Sequence, residues 1–289
     1  MRLGKVLVTG SSSFTGYYVL NELAAHGYTV LEPPKKDIDL RDYESVFDWV
    51  NTVRPNYVIH LAALSFVGHG DINEIYETNL LGSINLLRAL VESKLNLRKV
   101  VLASSANIYG NVNEKRIREN QPATPANHYG ISKHAMELAA DQWKDRLPIV
   151  IVRPFNYTGV GQAGHFLVPK IVNHFRDRKI EIELGNIDVY RDFSDVRDVA
   201  SWYIELLSSG SSVNCVNFCT GVLTSLRDII CMLNDIAGYE IRVKVNSAFV
   251  RENEIKELCG DNTLLLSLTS DKKVRSFKET LEWMYGARD

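Results

Sequence analysis

The first half of this chain alternates short β-branched runs with longer amphipathic segments, and no other feature restricts its possible folds so tightly. Residues 5–9, 28–31, 57–61, 99–103 and 149–152 read as strands, each a brief apolar run bounded by turn-forming or polar residues. Between them, residues 14–26, 43–53, 72–93 and 129–145 carry apolar side chains three and four apart, the spacing of a helix with one buried face. Strands separated by helices of this length build right-handed βαβ units, so the expected fold class is α/β with a doubly wound parallel sheet.

Beyond Arg153 the rhythm loosens. A Gly-rich stretch precedes a helical segment at 166–177, a strand at 180–184, a helix at 195–207 and a strand at 212–218. The tail mixes short helices with one strand around 241–245 and a polar loop at 251–257, with no repeat or low-complexity linker. An apolar fraction of 45% is that of a globular chain, and a formal charge of −2 without basic runs points away from nucleic acid and membrane surfaces. No run approaches the roughly 20 apolar residues of a membrane helix, so the expected location is the cytoplasm. Cys215, Cys219, Cys231 and Cys259 lack CxxC pairing with histidines and are expected as buried reduced thiols. The histidines show no metal-ligand spacing; no metal is expected, and His60 is read as structural.

Gly10-Ser-Ser-Ser-Phe-Thr-Gly16 follows the first strand and opens the first helix. A glycine-rich turn in that context sets backbone N–H groups and a helix N-terminus against a dinucleotide pyrophosphate, as in Rossmann-type domains. Gly10 suits the tight turn and Gly16 a close helix–sheet contact, with Phe14 and Thr15 opening the helix. Ser13 replaces the usual central glycine, which holds the backbone off the phosphates but supplies a hydroxyl. After the second strand, Glu32 would suit the free ribose of NAD(H), whereas Lys35 and Lys36 stand where a 2′-phosphate would lie. NADP(H) is favoured, with NAD(H) the alternative.

Tyr129-Gly-Ile-Ser-Lys133 places a phenol and an ammonium on one helix face, an arrangement in which the cation is expected to lower the phenol pKa for general acid work. Ser104-Ser105 closes a strand 24 residues earlier, at the carboxyl edge where doubly wound sheets bind ligands.

With these motifs, the chain resembles the extended short-chain dehydrogenase/reductases (the NAD-dependent epimerase/dehydratase family) that modify nucleotide sugars. The likeness also rests on Ile59-His-Leu-Ala-Ala63, Asn79-Leu-Leu-Gly-Ser-Ile-Asn85, Ser104-Ser-Ala-Asn-Ile-Tyr-Gly110 and Arg153-Pro-Phe-Asn156. The resemblance implies that Ser105, rather than Ser104, is the catalytic hydroxyl. It implies that Tyr129 moves the sugar hydroxyl proton and that Lys133 also holds the nicotinamide ribose. It further implies cofactor contacts at Asp39, Leu40, Leu61, Ala62, Ala63 and Pro154, and substrate contacts at Asn107, Asn156, Arg191, Arg251 and Glu254.

Relatives that eliminate water keep a glutamate two places after the catalytic hydroxyl; here that residue is Asn107. The likeness is strongest to GDP-4-keto-6-deoxymannose reductases, although their Arg-Pro-Ser-Glu is Arg251-Glu-Asn-Glu254 here. The expected activity is therefore NAD(P)H-dependent reduction of a 4-keto-6-deoxy sugar nucleotide at C4. The alternatives are a nucleotide-sugar 4-epimerase retaining NAD and a non-catalytic NAD(P)-sensing protein. Residues 1–155, completed by about 188–220, are expected to hold the cofactor, and 156–187 with 221–289 the substrate. A homodimer paired through the 72–93 and 129–145 helices is implied by the same resemblance.

Overall fold

The computed structural model describes residues 3–33, 38–65, 71–246, 255–269 and 274–287. In chain order its first half runs β1 (Lys5–Thr9), α1 (Phe14–Ala25), β2 (Thr29–Leu31), α2 (Tyr43–Val53), β3 (Tyr57–His60), α3 (Ile72–Tyr76), a π-helical turn (Glu77–Leu81), α4 (Gly82–Glu92), β4 (Lys99–Ala103), a 3-10 turn (Ala106–Tyr109), α5 (His128–Asp141) and β5 (Ile149–Pro154). The second half runs β6 (Asn156–Thr158), α6 (Leu167–Arg176), β7 (Glu181–Leu184), β8 (Tyr190–Asp195), α7 (Val196–Ser208), β9 (Cys215–Phe218), β10 (Leu223–Ser225), α8 (Leu226–Ala237), β11 (Arg242–Val245), β12 (Glu257–Leu258), α9 (Thr263–Leu268) and α10 (Phe277–Gly286).

Six parallel strands form the main sheet in the order β2-β1-β3-β4-β5-β9. Because successive side chains on a strand point to opposite faces, the apolar runs serve two cores. Val6, Val8, Ile59, Val101 and Val152 pack against α1 and α7, whereas Leu7, Val58, Val100 and Leu102 pack against α2, α4 and α5. The chain leaves β1 toward β2 and returns to the other side of β1 as β3. That reversal opens a crevice at the carboxyl ends of β1 and β3, where open sheets of this kind bind ligands.

A further core lies under α6, α8 and α10 and is faced by β7 and β8. The main sheet is closed only by β9, which pairs with β5 after the chain has passed through β6, α6, β7, β8 and α7. Lys99 ties these parts together: it is 6% exposed and donates to the Leu206 and Ser209 carbonyls at the end of α7, both at 2.7 Å.

Two expectations are corrected. The helix expected over 72–93 is interrupted by the π-helical turn, which inserts a residue and rotates Asn79 into the interior. The four thiols are free, but Cys231 is exposed and Cys215 only half-buried. Among the described residues, no helix is long and apolar enough to cross a membrane.

Candidate functional site

At the end of β1, Gly10 takes φ +71°, a left-handed conformation open to glycine at little cost. A Cβ on Gly10 would stand 2.7 Å from the Ala62 nitrogen, and one on Gly16 would stand 2.3 Å from the Gly10 carbonyl. Both glycines are therefore required by packing, which brings the first turn of α1 against the loops after β1 and β3. Ser13 caps α1 by accepting from the Gly16 N–H at 3.0 Å. Its oxygen is thus turned into the helix, and its proton and one lone pair remain for a ligand. Phe14 stacks on Tyr157 at 6.2 Å, and Thr15 Oγ1 hydrogen-bonds the Tyr157 hydroxyl at 2.7 Å. Leu61, Ala62 and Ala63, all half-buried, continue the same crevice, and buried Pro154 ends β5. These groups fit a dinucleotide: a helix N-terminus with its first N–H groups for the pyrophosphate, and small or apolar walls for the rings.

Ser105, Tyr129 and Lys133 come together where β4 meets α5. Ser105 is extended (φ −162°, ψ 149°), and its Oγ accepts from both the backbone N–H and the side-chain Nδ2 of Asn107, each at 3.1 Å. The Ser105 side chain lies close enough to the Tyr129 phenol to draw its pKa down. Asn127 caps α5 by accepting from Gly130 N at 2.8 Å. Gly130 then lets the helix lie against Asn107, since a Cβ there would be 2.7 Å from the Asn107 carbonyl oxygen.

Lys133 is 1% exposed and donates from Nζ to the Ala103 carbonyl at 2.7 Å. Burial lowers its pKa to about 8, partly offset by the Glu137 carboxylate one turn on. Tyr129 differs from expectation. Burial, with a smaller contribution from Tyr157, pushes its phenol above the ordinary range, and the nearby Ser105 side chain opposes this. The ammonium that was to favour phenolate is engaged by a backbone carbonyl instead. Ser104, the serine not chosen, is buried with a hydroxyl that has no protein partner.

A buried chain of hydrogen bonds braces this centre from behind. Ser83 Oγ donates to the Asn79 carbonyl at 2.7 Å, so it must accept from His60 Nε2 at 2.8 Å. His60 Nδ1 is then the acceptor for Thr9 Oγ1 at 2.6 Å, and Thr9 in turn accepts from Ala62 N at 3.3 Å. Burial holds His60 down near a pKa of about 3, keeping it neutral, in keeping with a structural role. Asn79, fully buried, accepts from Leu64 N at 2.8 Å and donates to the Leu64 carbonyl and to Ser132 on α5, both at 3.1 Å. It ties the loop after β3 to the helix bearing Tyr129 and Lys133. Asn79 opens one of the motifs behind the resemblance but is assigned no role there; its other signal is a polar residue in the middle of an otherwise apolar helical face.

Beneath the 3-10 turn, Arg153 forms a bidentate pair with Glu137 on α5 at 3.0 and 2.7 Å. It also donates to the Tyr109 hydroxyl at 2.9 Å and the Glu119 carbonyl at 2.8 Å. Tyr109 continues to Asn217 on β9 at 2.7 Å.

The remaining site residues divide. Asp39 is exposed, and Arg41 takes both of its carboxylate oxygens, which lowers its pKa; Leu40 packs on Gly82 of α4. Asn156 is exposed at the start of β6. Arg191 donates to the carbonyls of Tyr190 at 2.8 Å and Lys256 at 3.2 Å. Its neighbour Asp192 is wholly buried, and it holds the N–H groups of Thr220 and Gly221 at 2.8 Å. Asp195 caps α7, its carboxylate accepting from Arg197 N. Lys35, Lys36, Arg251, Glu254 and His69 lie outside the described residues.

Residues 6–217 match the model of the NAD dependent epimerase/dehydratase family. The chain is 37% identical to a GDP-6-deoxy-D-talose 4-dehydrogenase of Aggregatibacter actinomycetemcomitans, over 98% of each sequence. It is 33% identical to a GDP-6-deoxy-D-mannose reductase of Pseudomonas aeruginosa, over 96% of this chain and 94% of the relative. Among solved structures, RMD from Pseudomonas aeruginosa complexed with NADPH superposes with a TM-score of 0.87 at 32% identity, covering 98% of this chain and 96% of that one.

Proposed function

This chain belongs to the NAD-dependent epimerase/dehydratase family of enzymes, and on that footing we propose that it reduces the C4 ketone of a GDP-linked 4-keto-6-deoxy sugar, using NADPH in preference to NADH. The observation that carries the reading is the carboxamide of Asn107 on the Ser105 hydroxyl. An eliminating relative keeps a carboxylic acid at that position; a carboxamide neither donates nor accepts a proton at neutral pH, so addition of hydride and a proton at one carbon remains.

In this mechanism a bound nicotinamide supplies the hydride. Ser105 holds the ketone oxygen, and Tyr129 delivers the proton that turns it into a hydroxyl. Lys133, charged and buried at the base of the site, orients the nicotinamide ribose and stabilises the phenolate left behind once the site is filled. Asn156 and Arg191, with Arg251 and Glu254, grip the nucleotide diphosphate and its ribose or base, the arginine forks matching phosphate oxygens. The second lobe, residues 156–187 and 221–289, is assigned to the substrate. Exposed apolar side chains at Ile72, Leu81, Ile131 and Leu138, on the helices that would pair two copies, support a homodimer. The names of the two relatives support a GDP sugar, and one of them is named for the oxidative direction; the same groups serve both, with Tyr129 accepting the proton instead.

The test is to supply GDP-4-keto-6-deoxymannose with NADPH, and separately GDP-mannose with NADP+. Stoichiometric NADPH oxidation with the ketone and no keto sugar from GDP-mannose are expected. Keto sugar formed from GDP-mannose without a partner enzyme would overturn the reading. So would tightly bound NAD with interconversion of C4 epimers and no net cofactor consumption, the behaviour of an epimerase.

A further inference from the structure

Tyr157 joins the cofactor crevice to the second lobe. It stands on β6, one residue after Asn156, and its side chain is turned onto α1. The ring stacks on Phe14 at 6.2 Å with 9° between the planes, and the hydroxyl shares a 2.7 Å hydrogen bond with Thr15 Oγ1. Phe14 and Thr15 open α1. Of the N–H groups in that first turn, the one on Gly16 is taken by the Ser13 cap, so those of Phe14 and Thr15 are the ones such a helix turns toward a pyrophosphate. The same two residues therefore face the cofactor with their backbone and the second lobe with their side chains.

We propose that Tyr157 is a positioning residue that couples the two ligands: the cofactor fixes the first turn of α1, Phe14 and Thr15 pass that order to Tyr157, and β6 thereby presents Asn156 to the nucleotide diphosphate. This rests on the part given above to Asn156 and Arg191.

Successive side chains leave a strand on opposite faces, so fastening Tyr157 to α1 sets the side to which Asn156 points. β6 is 3 residues long and pairs with β8, Asn156 opposite Phe193 and Tyr157 opposite Ser194. So short a strand makes few ladder hydrogen bonds, and the anchor at its middle weighs heavily in where it lies. β8 carries Arg191, so a fixed β6 also steadies the second expected phosphate contact. Thr15 is 9% exposed, and the tyrosine ring packs on the core beneath α1 and α7, which shields the bond from water that would replace it. Coupling of this kind is reciprocal, and one hydrogen bond transmits about fivefold.

An internal control lies one turn along α1. Tyr18 donates to the Val160 carbonyl at 2.7 Å, a bond of the same length from the same helix to the turn after β6. Its hydroxyl holds neither the first turn of α1 nor β6, so its removal should leave the coupling intact.

The test is calorimetric titration with GDP, with and without saturating NADP+ or NAD+, whichever the unaltered protein binds more tightly. The coupling is the ratio of two dissociation constants for one protein, so a general loosening of the lobe cancels. GDP should bind about fivefold tighter to the cofactor-loaded unaltered protein. In Tyr157→Phe and in Thr15→Val that ratio should fall below about twofold, the double variant should be about as low as either single one, and Tyr18→Phe should keep the full ratio. A ratio near one in the unaltered protein, unchanged in Tyr157→Phe, or lowered equally by Tyr18→Phe would overturn the proposal. A second readout needs no nucleotide: amide hydrogen exchange over residues 155–162 should slow when cofactor is added to the unaltered protein and not in Tyr157→Phe. If GDP fails to bind the unaltered protein at all, the reading of the substrate falls and the exchange result decides. Slowing that is lost with the Tyr157 hydroxyl would then uphold the coupling, and slowing that persists in Tyr157→Phe, or is absent from the unaltered protein, would overturn it.

Discussion

Lys133 is held at a cost to the fold, and removing it should make the free protein more stable while abolishing catalysis. The side chain is 1% exposed, makes one hydrogen bond to the Ala103 carbonyl, and has its pKa lowered from 10.5 to about 8 by burial. Between those two values the unfolded chain binds more protons than the folded one, so the stability of the unaltered protein rises with pH across that window. Below about pH 8 the full difference weighs against folding, which at 1.36 kcal/mol per unit is about 3 kcal/mol. Lys133→Met removes this penalty and forfeits a hydrogen bond of about 1 kcal/mol, for a net gain of about 2 kcal/mol at neutral pH. As the unaltered protein recovers stability on raising the pH, the advantage should shrink to roughly half a kcal/mol near pH 9.5. Urea unfolding of both proteins without cofactor, at about pH 7 and pH 9.5, reads the effect. A variant less stable than its parent at pH 7, or an advantage that does not change with pH, would refute the reasoning. Turnover should be lost at either pH, a trade of activity against stability expected where a charge is buried for function.

Tyr129→Phe should change unfolding free energy by no more than about 1 kcal/mol, the scale of one side-chain hydrogen bond, while turnover falls at least roughly a hundredfold; turnover within tenfold of normal would remove Tyr129 from the chemistry. Arg153→Leu should cost about 3–5 kcal/mol in urea unfolding, because the Glu137 carboxylate, 8% exposed, is left without its bidentate partner. Adding Glu137→Leu should restore much of that loss, and failure to do so would locate the damage elsewhere. Replacing Lys35 and Lys36 with alanine should weaken NADPH binding far more than NADH binding in a direct titration, whereas equal losses would mean that the lysines do not read the 2′-phosphate.

The strands of the main sheet were legible because they are covered on both faces and must be apolar throughout; five of the six were read within a residue or two, and β9 was placed with its start three residues early. β8 was not. Its sequence, Tyr190-Arg-Asp-Phe-Ser-Asp195, is as polar as a loop, yet Asp192 and Asp195 are buried because they anchor neighbouring turns and helices. The π-helical turn was equally hidden, since one inserted residue hardly disturbs the apolar periodicity on either side. Spacing and the family resemblance pointed to Ser105, Tyr129 and Lys133, which the fold places together where β4 meets α5, but spacing cannot say which acceptor an ammonium chooses. The Ala103 carbonyl, a backbone atom, left no trace in the residue pattern. For the same reason the bond from the Asn107 amide to the Ser105 oxygen, set by a turn of the backbone, left no trace in the residue pattern.

The late closure of the sheet bears on how the chain is made. When β5 leaves the ribosome its outer edge is bare, because β9 follows roughly sixty residues later. At about 5–20 residues per second, that edge waits on the order of 3–12 seconds for its neighbour. An unpaired, apolar parallel strand invites pairing with other nascent chains. The amino-terminal half is therefore a poor candidate for independent expression, and a stop anywhere before residue 218 should yield aggregates rather than a smaller soluble domain.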